Sequence, residues 1–303
     1  MNNIDKELLA SVADLHSTPL GSYNIRKNGE SVERNSTKDI EIISKKDKSG
    51  IDVIVKSGVK NKSVHIPVII TVGNLTDLVY NDFYIGEDAD VLIVAGCGIH
   101  NPTGEESRHD GIHTFHLEKN SKVRYIEKHL GTGRGGKILN PITKILMEEN
   151  SEFEMDTVQL GGVTYSKRDT EALLKENTKL IIKEKILTTD TQEAITNFNV
   201  TLEGKNSHVQ VISRSVAKGK SKQSFTSNII GKAECFGHVE CDGILLDNAQ
   251  IVSIPKIDAL CPEASLVHEA AIGKIAGEQL IKLMSLGLTR EEAENLIIKG
   301  YLS

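Results

Sequence analysis

Lys119-Asn120-Ser121-Lys122-Val123 and, 30 residues on, Glu149-Asn150-Ser151-Glu152-Phe153 repeat one local phrase: a polar turn ending in a small residue, then an alternation suited to a strand. The phrase also occurs before them as Glu87-Asp88-Ala89-Asp90-Val91. After them it returns as Glu176-Asn177-Thr178-Lys179-Leu180, Lys205-Asn206-Ser207-His208-Val209, Gly231-Lys232-Ala233-Glu234-Cys235 and Asp247-Asn248-Ala249-Gln250-Ile251. Counted at small residues 89, 121, 151, 178, 207, 233 and 249, the steps are 32, 30, 27, 29, 26 and 16. Asn, Asp and Gly tolerate tight corners, and Val123 and Tyr125, or Val209 and Val211, then alternate with polar neighbours. Short strands at a persistent period point to stacked coils, each covering the apolar face of the one before. The expected fold is mainly β, a β-helix or related β-solenoid. A β-sandwich with regular turn spacing is its rival.

Outside the repeats the chain reads differently. Ile4, Leu8, Leu9, Val12 and Leu15 form one apolar stripe of a short helix, whereas residues 22–50 are rich in Lys, Asn, Ser and Asp and read as loop with an edge strand. At the other end, Leu280, Ile281, Leu283 and Met284 recur at helical spacing, Gly287 supplies a stop, and Thr289-Arg290-Glu291-Glu292 has the form of a capping box opening a second helix. Helices this short are unstable alone in water, so they must pack on the body or on another protein. Leu280, Leu283, Met284, Leu288, Leu296 and Ile297 are the expected contact residues. The resulting division is 1–60 for helix and edge segment, 61–262 for the β core, and 263–303 for a C-terminal helical segment.

Composition removes several classes. With 303 residues, 26% charged and a net charge of −6, the chain lacks a nucleic-acid footprint, and 4% aromatics without Trp argues against a base-stacking surface. There is no long apolar run, and the opening residues are too polar for a secretory signal. With Cys97, Cys235, Cys241 and Cys261 scattered, the expectation is a reducing cytoplasm.

Two groups of residues carry candidate chemistry. Cys97, His100, His109, His113, His116, Glu127 and His129 gather within one window, and their thiolate and imidazole donors suit zinc, iron or iron–sulfur species. Gly96 and Gly98 would leave the Cys97 thiol accessible. The alternative is a polar loop with solvated histidines and one or two buried ones. The second group is Cys241, His268 and Glu269, with Cys261 between them. Neither His113-Thr114-Phe115-His116 nor His268-Glu269-Ala270-Ala271-Ile272 matches a cupin or zinc-protease pattern. Gly131-Thr132-Gly133-Arg134-Gly135-Gly136-Lys137 imitates a phosphate loop, but Ile138 replaces the Ser or Thr, and Asn140-Pro141 prevents the required helix. It reads as a glycine turn between strands, and no nucleotide is expected on this chain.

The block Cys241-Asp242-Gly243-Ile244-Leu245-Leu246, the pair His268-Glu269 and Glu278-Gln279-Leu280 through Thr289 with Glu291-Glu292-Ala293 resemble the C-terminal core of the SufB and SufD scaffold proteins of iron–sulfur cluster assembly. Gly96-Cys97-Gly98-Ile99-His100-Asn101 with His109, His113 and Glu127-Lys128-His129 is similar to the short SufB-like proteins of minimal systems. The resemblance implies a right-handed parallel β-helix flanked by helices, pairing through the core, and a SufC-like ABC ATPase docked on the C-terminal helices. It implies that Cys241 is the core thiol and that His268 and Glu269 help to build a nascent cluster. The long N-terminal helical region of full-size SufB has no counterpart here, and the second functional cysteine aligns near His116, which makes Cys97 an alternative entry point for sulfur. The expected function is a non-catalytic scaffold, a homodimer or a heterodimer with a SufD-like chain, that receives iron and a donor's sulfur into a transient cluster. Mixed thiolate, imidazole and carboxylate ligation suits a site that releases its product, and a protonated imidazole would lower the thiol pKa. A metal-dependent enzyme on the Cys97–His129 group and a structural solenoid without metal are the alternatives.

Overall fold

A computed structural model describes residues 1–159 and 161–302. Helix α1 (Asn3–Ala13) precedes two antiparallel hairpins, β1 (Ser22–Lys27) with β2 (Glu30–Asn35) and β3 (Ile40–Ser44) with β4 (Gly50–Val55). The chain then coils through β5 (Lys62–Ile70), β6 (Thr76–Ile85), β7 (Asp90–Asn101), β8 (Glu106–Leu117), β9 (Lys122–Gly133), β10 (Gly136–Leu139), β11 (Ile142–Met147), β12 (Glu152–Gln159) and β13 (Tyr165–Leu174). It continues through β14 (Lys179–Thr188), β15 (Glu193–Leu202), β16 (Ser207–Ala217), β17 (Lys222–Gly231), β18 (Cys235–Leu245), β19 (Gln250–Ala259) and β20 (Ser265–Lys274) to helices α2 (Gly277–Ser285) and α3 (Arg290–Tyr301). Successive strands alternate between two parallel sheets, β1-β5-β7-β9-β12-β14-β16-β18-β20 and β4-β6-β8-β10/β11-β13-β15-β17-β19, giving a β-solenoid of about eight turns. The glycine-rich stretch is the turn between β9 and β10. Lys137 donates to the carbonyls of Gly133 and Gly135, so its ammonium is engaged by the turn itself. No helix among the described residues is long and apolar enough to cross a membrane.

The repeated phrase is one corner of this coil. Asp88, Asn120, Asn150, Asn177 and Asn206 all adopt left-handed backbone, with φ of 54–60°, a conformation Asn and Asp tolerate best after Gly. Their amides donate to carbonyls of the next coil, such as Asn120 N to Glu149 O and Asn150 N to Glu176 O. Their side chains stack as a ladder, Asn150 to Asn120, Asn177 to Asn150 and Asn206 to Asn177, each at 3.1 Å. The small residue that follows is buried, and where it is Ser or Thr its hydroxyl bonds a carbonyl three residues back, as Ser121 does to Glu118 and Ser207 to Gly204. Cys235, not Ala233, pairs in register with Ser207 and occupies this position in the following coil. The seventh copy lies at the opposite corner, where left-handed Asp247 follows Asp190 and Gly219, which accounts for the short last step.

Residues 22–50 are where sequence and structure part company. The expected loop with one edge strand is two hairpins, and their Tyr23, Ile25, Ile40, Ile42, Ile51, Val53 and Val55 are buried. Ile40, Ile42, Ile51, Val53 and Val55 belong to the same core cluster as Val239 and Cys241 far along the chain. Residue 60 therefore marks a change from antiparallel hairpins to parallel coils within one core, and the coil continues past 262 through β20 before the helices begin. Gly96 and Gly98 also differ from expectation. They face α1, where a Cβ on Gly96 would lie 2.5 Å from Val12 O and 2.6 Å from Lys128 O, so they admit the helix rather than a ligand. Their neighbour Cys97 points into the lumen against Val68, Ile99 and Leu139 and is buried.

One side of the lumen is apolar, with Phe83 stacked on Phe115 at 4.4 Å and Phe115 against Tyr125 and Phe153. Beside it runs a buried polar seam. Arg26 clamps Asp77, which also meets His109 Nδ1 at 3.1 Å. Further along, Asn81 meets His113 Nε2 at 3.2 Å, His113 Nδ1 meets Tyr125 Oη at 2.8 Å, and Tyr125 Oη donates to Glu127. The phenol donates its single proton to Glu127 and so accepts from His113 Nδ1, while the Asn81 amide nitrogen donates to Nε2, so the imidazole is neutral with its hydrogen on Nδ1. Arg168 then lies between Glu127 at 2.7 Å and Glu184 at 3.7 Å, and Glu184 accepts from Thr196 and Ser213.

Two outcomes follow from this packing. Gly96→Ala is expected to destabilise the fold by about 1–3 kcal/mol in urea unfolding, because helix and neighbouring strand must both shift. Gly104→Ala, which meets no atom within 4 Å, is the matched control; equal midpoints would refute the contact. Burial lowers the His113 pKa from 6.5 to about 4, so in that interval the folded chain binds fewer protons than the unfolded one. The contribution is complete above the unfolded value and is lost as pH falls toward the folded one, on the order of 3 kcal/mol. Urea midpoints from pH 7 to pH 4 should fall, and less steeply in His113→Asn; parallel profiles would exclude His113 as a source.

Candidate functional site

Strand β18 alternates, turning Cys235, Val239 and Cys241 inward and His238, Glu240 and Asp242 outward. In the parallel register with β20, Val239 faces His268, Glu240 faces Glu269 and Cys241 faces Ala270. Paired positions share a side of the sheet, so Cys241 and His268 enter the lumen at the last coil while Glu269 stands on the outer surface. The expected triad is therefore divided: thiol and imidazole share the lumen face two register positions apart, and the carboxylate lies across the sheet, 3.6 Å from His238 Nε2. Adjacent residues of a strand cannot both face inward, which separates His268 from Glu269.

The inner pair is held in a shielded setting. Cys241 has no exposed surface. Burial pushes its thiol up to about 11, only partly offset by the Ser253 hydroxyl. This reverses the expectation of a thiolate favoured by imidazolium: His268 itself is held below its usual pKa by burial and by His238, so it is neutral and offers no charge to the sulfur. Its Nδ1 meets Ser227 Oγ at 3.2 Å, while Nε2 is buried without a partner. A neutral imidazole with one nitrogen engaged and the other open is the arrangement of a prospective ligand. Cys261 lies outside the pair, with its thiol 3.0 Å from Glu263.

The coil that carries this pair ends the solenoid. Strands β19 and β20 each pair on one edge only among the described residues. Ile254, Ile257, Val267 and Ile272 are exposed along them. The C-terminal hairpin follows, with Thr289 and Glu292 forming the expected capping box. Of the expected contact residues, Met284 and Leu296 are exposed, Leu280, Leu283, Leu288 and Ile297 are half-buried, and α3 buries Ala293 and Ile298 instead. Tyr301 tethers the hairpin over Arg214 on the outer face of β16, 5.9 Å from its guanidinium.

The histidine window resolves into two sets. His109, His113, Glu127 and His129 line one enclosed lumen cavity of about 10 Å³ with Cys97. His100 bonds Thr132, and His116 stacks on Tyr84 at 4.9 Å outside the lumen. Burial raises the Cys97 thiol, with Asp77 and Glu127 adding to the effect, so it is a closed, protonated thiol rather than an accessible one. Among the described residues no three His, Cys, Asp or Glu side chains are arranged to hold a metal ion. The inward histidines are members of the hydrogen-bonded seam. Its other members, Asp77, Tyr125, Arg168 and Glu184, were not anticipated; their only signal is a polar residue at an inward-facing position of an alternating strand.

Comparison with known proteins identifies a family. Residues 79–301 match the family model described as SUF system FeS cluster assembly, SufBD core domain. A protein of Archaeoglobus fulgidus named as an iron–sulfur cluster assembly SufBD family protein is 32% identical over 226 residues, covering 74% of this chain and 60% of its own length. A Methanocaldococcus jannaschii protein of the same family name is 28% identical over 253 residues, covering 82% and 79%. The chain spans only 53% of the length of a Methanothermobacter thermautotrophicus relative that is 28% identical. With the family core matched over most of its length, the chain belongs to the SufBD family of iron–sulfur cluster assembly proteins.

Proposed function

We propose that this chain is a scaffold on which a transient iron–sulfur cluster is built, with Cys241 and His268 as inner ligands and Glu269 as an outer one. The observation that carries the reading is the shared lumen face of Cys241 and His268 at the open last coil. Iron and sulfide are cargo. A hard carboxylate outside suits incoming iron, while the softer thiolate and imidazole inside suit the sulfide-bearing product. With its pKa near 11 the thiol is protonated at neutral pH, so metal capture must release that proton and requires the coil to open.

The surroundings supply a means of opening. The unpaired, partly apolar edges of β19 and β20 are what a second copy, or a SufD-like chain, would cover. A SufC-like ABC ATPase docking on α2 and α3 would pull on the Tyr301 tether beside the same coil. ATP hydrolysis belongs to that partner. A sulfur donor delivers to the exposed end of the solenoid rather than to the closed Cys97.

Anaerobic iron and sulfide, added with the ATPase and ATP, should give a labile visible chromophore. Cys241→Ser and His268→Ala should each reduce its intensity severalfold, and Glu269→Ala should slow its appearance. Full, equally fast loading in all three variants would remove these residues from the mechanism. Met284→Asp with Leu296→Asp, at two exposed positions, should abolish co-purification of the ATPase while leaving the melting temperature unchanged. Retained co-purification would exclude the hairpin as its dock.

A further inference from the structure

The two N-terminal hairpins enclose a cleft of about 220 Å³ at the end of the solenoid far from Cys241. Its wall carries four cations, Arg26, Arg34, Lys45 and Lys48, and no carboxylate lines it, although the chain as a whole is acidic. Two of the four are compensated by acids behind the wall. Arg26 grips Asp77 with two nitrogens, and Lys45 pairs with Asp52 and Asp82.

The other two have no ion-pair partner among the described residues. Arg34 is held only by neutral acceptors, Asn24 at 2.8 Å, Ser44 at 2.6 Å and Ser31 at 3.3 Å, and burial weakens its hold on the proton. Lys48 lies over the Tyr80 ring at 4.5 Å and feels the Asp82 carboxylate, which Lys45 already holds, only from beyond ion-pair range. A partly buried guanidinium fixed in place without a counter-charge is costly unless an anion completes it. The cleft floor is apolar, formed by Ile51, Val68 and Val79.

We propose that this cleft binds a small phosphorylated molecule, its phosphate on Arg34 and Lys48 and its body on the apolar floor. A planar guanidinium fork and a point-like ammonium supply donors that are not confined to one plane, which suits a tetrahedral oxyanion better than a flat carboxylate. The volume exceeds that of inorganic phosphate and leaves room for an organic body. Apart from Val79 and Asn81, the lining residues lie outside the 79–301 family match, so the site is an addition to the core and independent of its cluster chemistry.

The test is calorimetric titration of the full chain at constant ionic strength with phenyl phosphate, inorganic phosphate and citrate. Saturable one-site binding is expected, tightest for phenyl phosphate, with the dissociation constant raised about tenfold in Arg34→Gln and in Lys48→Gln, the loss of one charge-assisted contact each. Among the described residues Lys48 makes no hydrogen bond or ion pair, and its contact with Tyr80 is at the exposed surface, so its variant reports binding with only a small change in stability. Absence of saturable phosphate binding at millimolar concentration, citrate binding as tightly as phenyl phosphate, or unaltered binding in Lys48→Gln would each overturn the proposal.

Discussion

Register is the constraint on which everything else in this molecule depends. At the repeated corner, left-handed Asn120, Asn150, Asn177 and Asn206 turn their amides toward the next coil and their side chains onto one ladder, and that pins one strand against the next with no freedom to slip. Because side chains alternate, fixing the register fixes which of them enter the lumen. Cys241 and His268 are inside and Glu269 outside for this reason alone. The chemistry of the last coil is thus decided by turns that lie far from it.

Much of this was readable from the residues, because the information is local and repeated. The Asn-Ser corners, the alternation after them, the helix over Leu8, Leu9 and Val12 and the capping box at Thr289 each have a single physical interpretation. What could not be read was composition-masked or geometric. Ile40, Ile51, Val53 and Val55 alternate correctly, but between them lie charged and polar residues that face water or the basic cleft, so the segment imitates a loop. Gly96 and Gly98 satisfy equally the needs of an accessible thiol and of a close-packed helix, and only the position of α1 decides between them. The pair His268-Glu269 suggested joint action, whereas a strand sends neighbours to opposite faces.

The buried seam is the costly part of the architecture. An arginine between two glutamates, with neutral histidines beside it, gives up hydration that apolar side chains would not need. In return each member has a fixed partner, and a strand displaced by one residue would strand a charge in the apolar half of the lumen. The seam and the asparagine ladder therefore enforce the same alignment from inside and outside the coil.

Finally, the solenoid is asymmetric along its axis. At its beginning, antiparallel hairpins fold back to cover the first coils and α1 braces their flank; at its end, β19 and β20 have neighbours on one side only. In a stack where each layer leans chiefly on its nearest neighbours, fraying is cheapest at the layer with the fewest. The sulfur of Cys241 sits one strand in from that margin, so a brief local unzipping would expose it while the remaining turns stay folded.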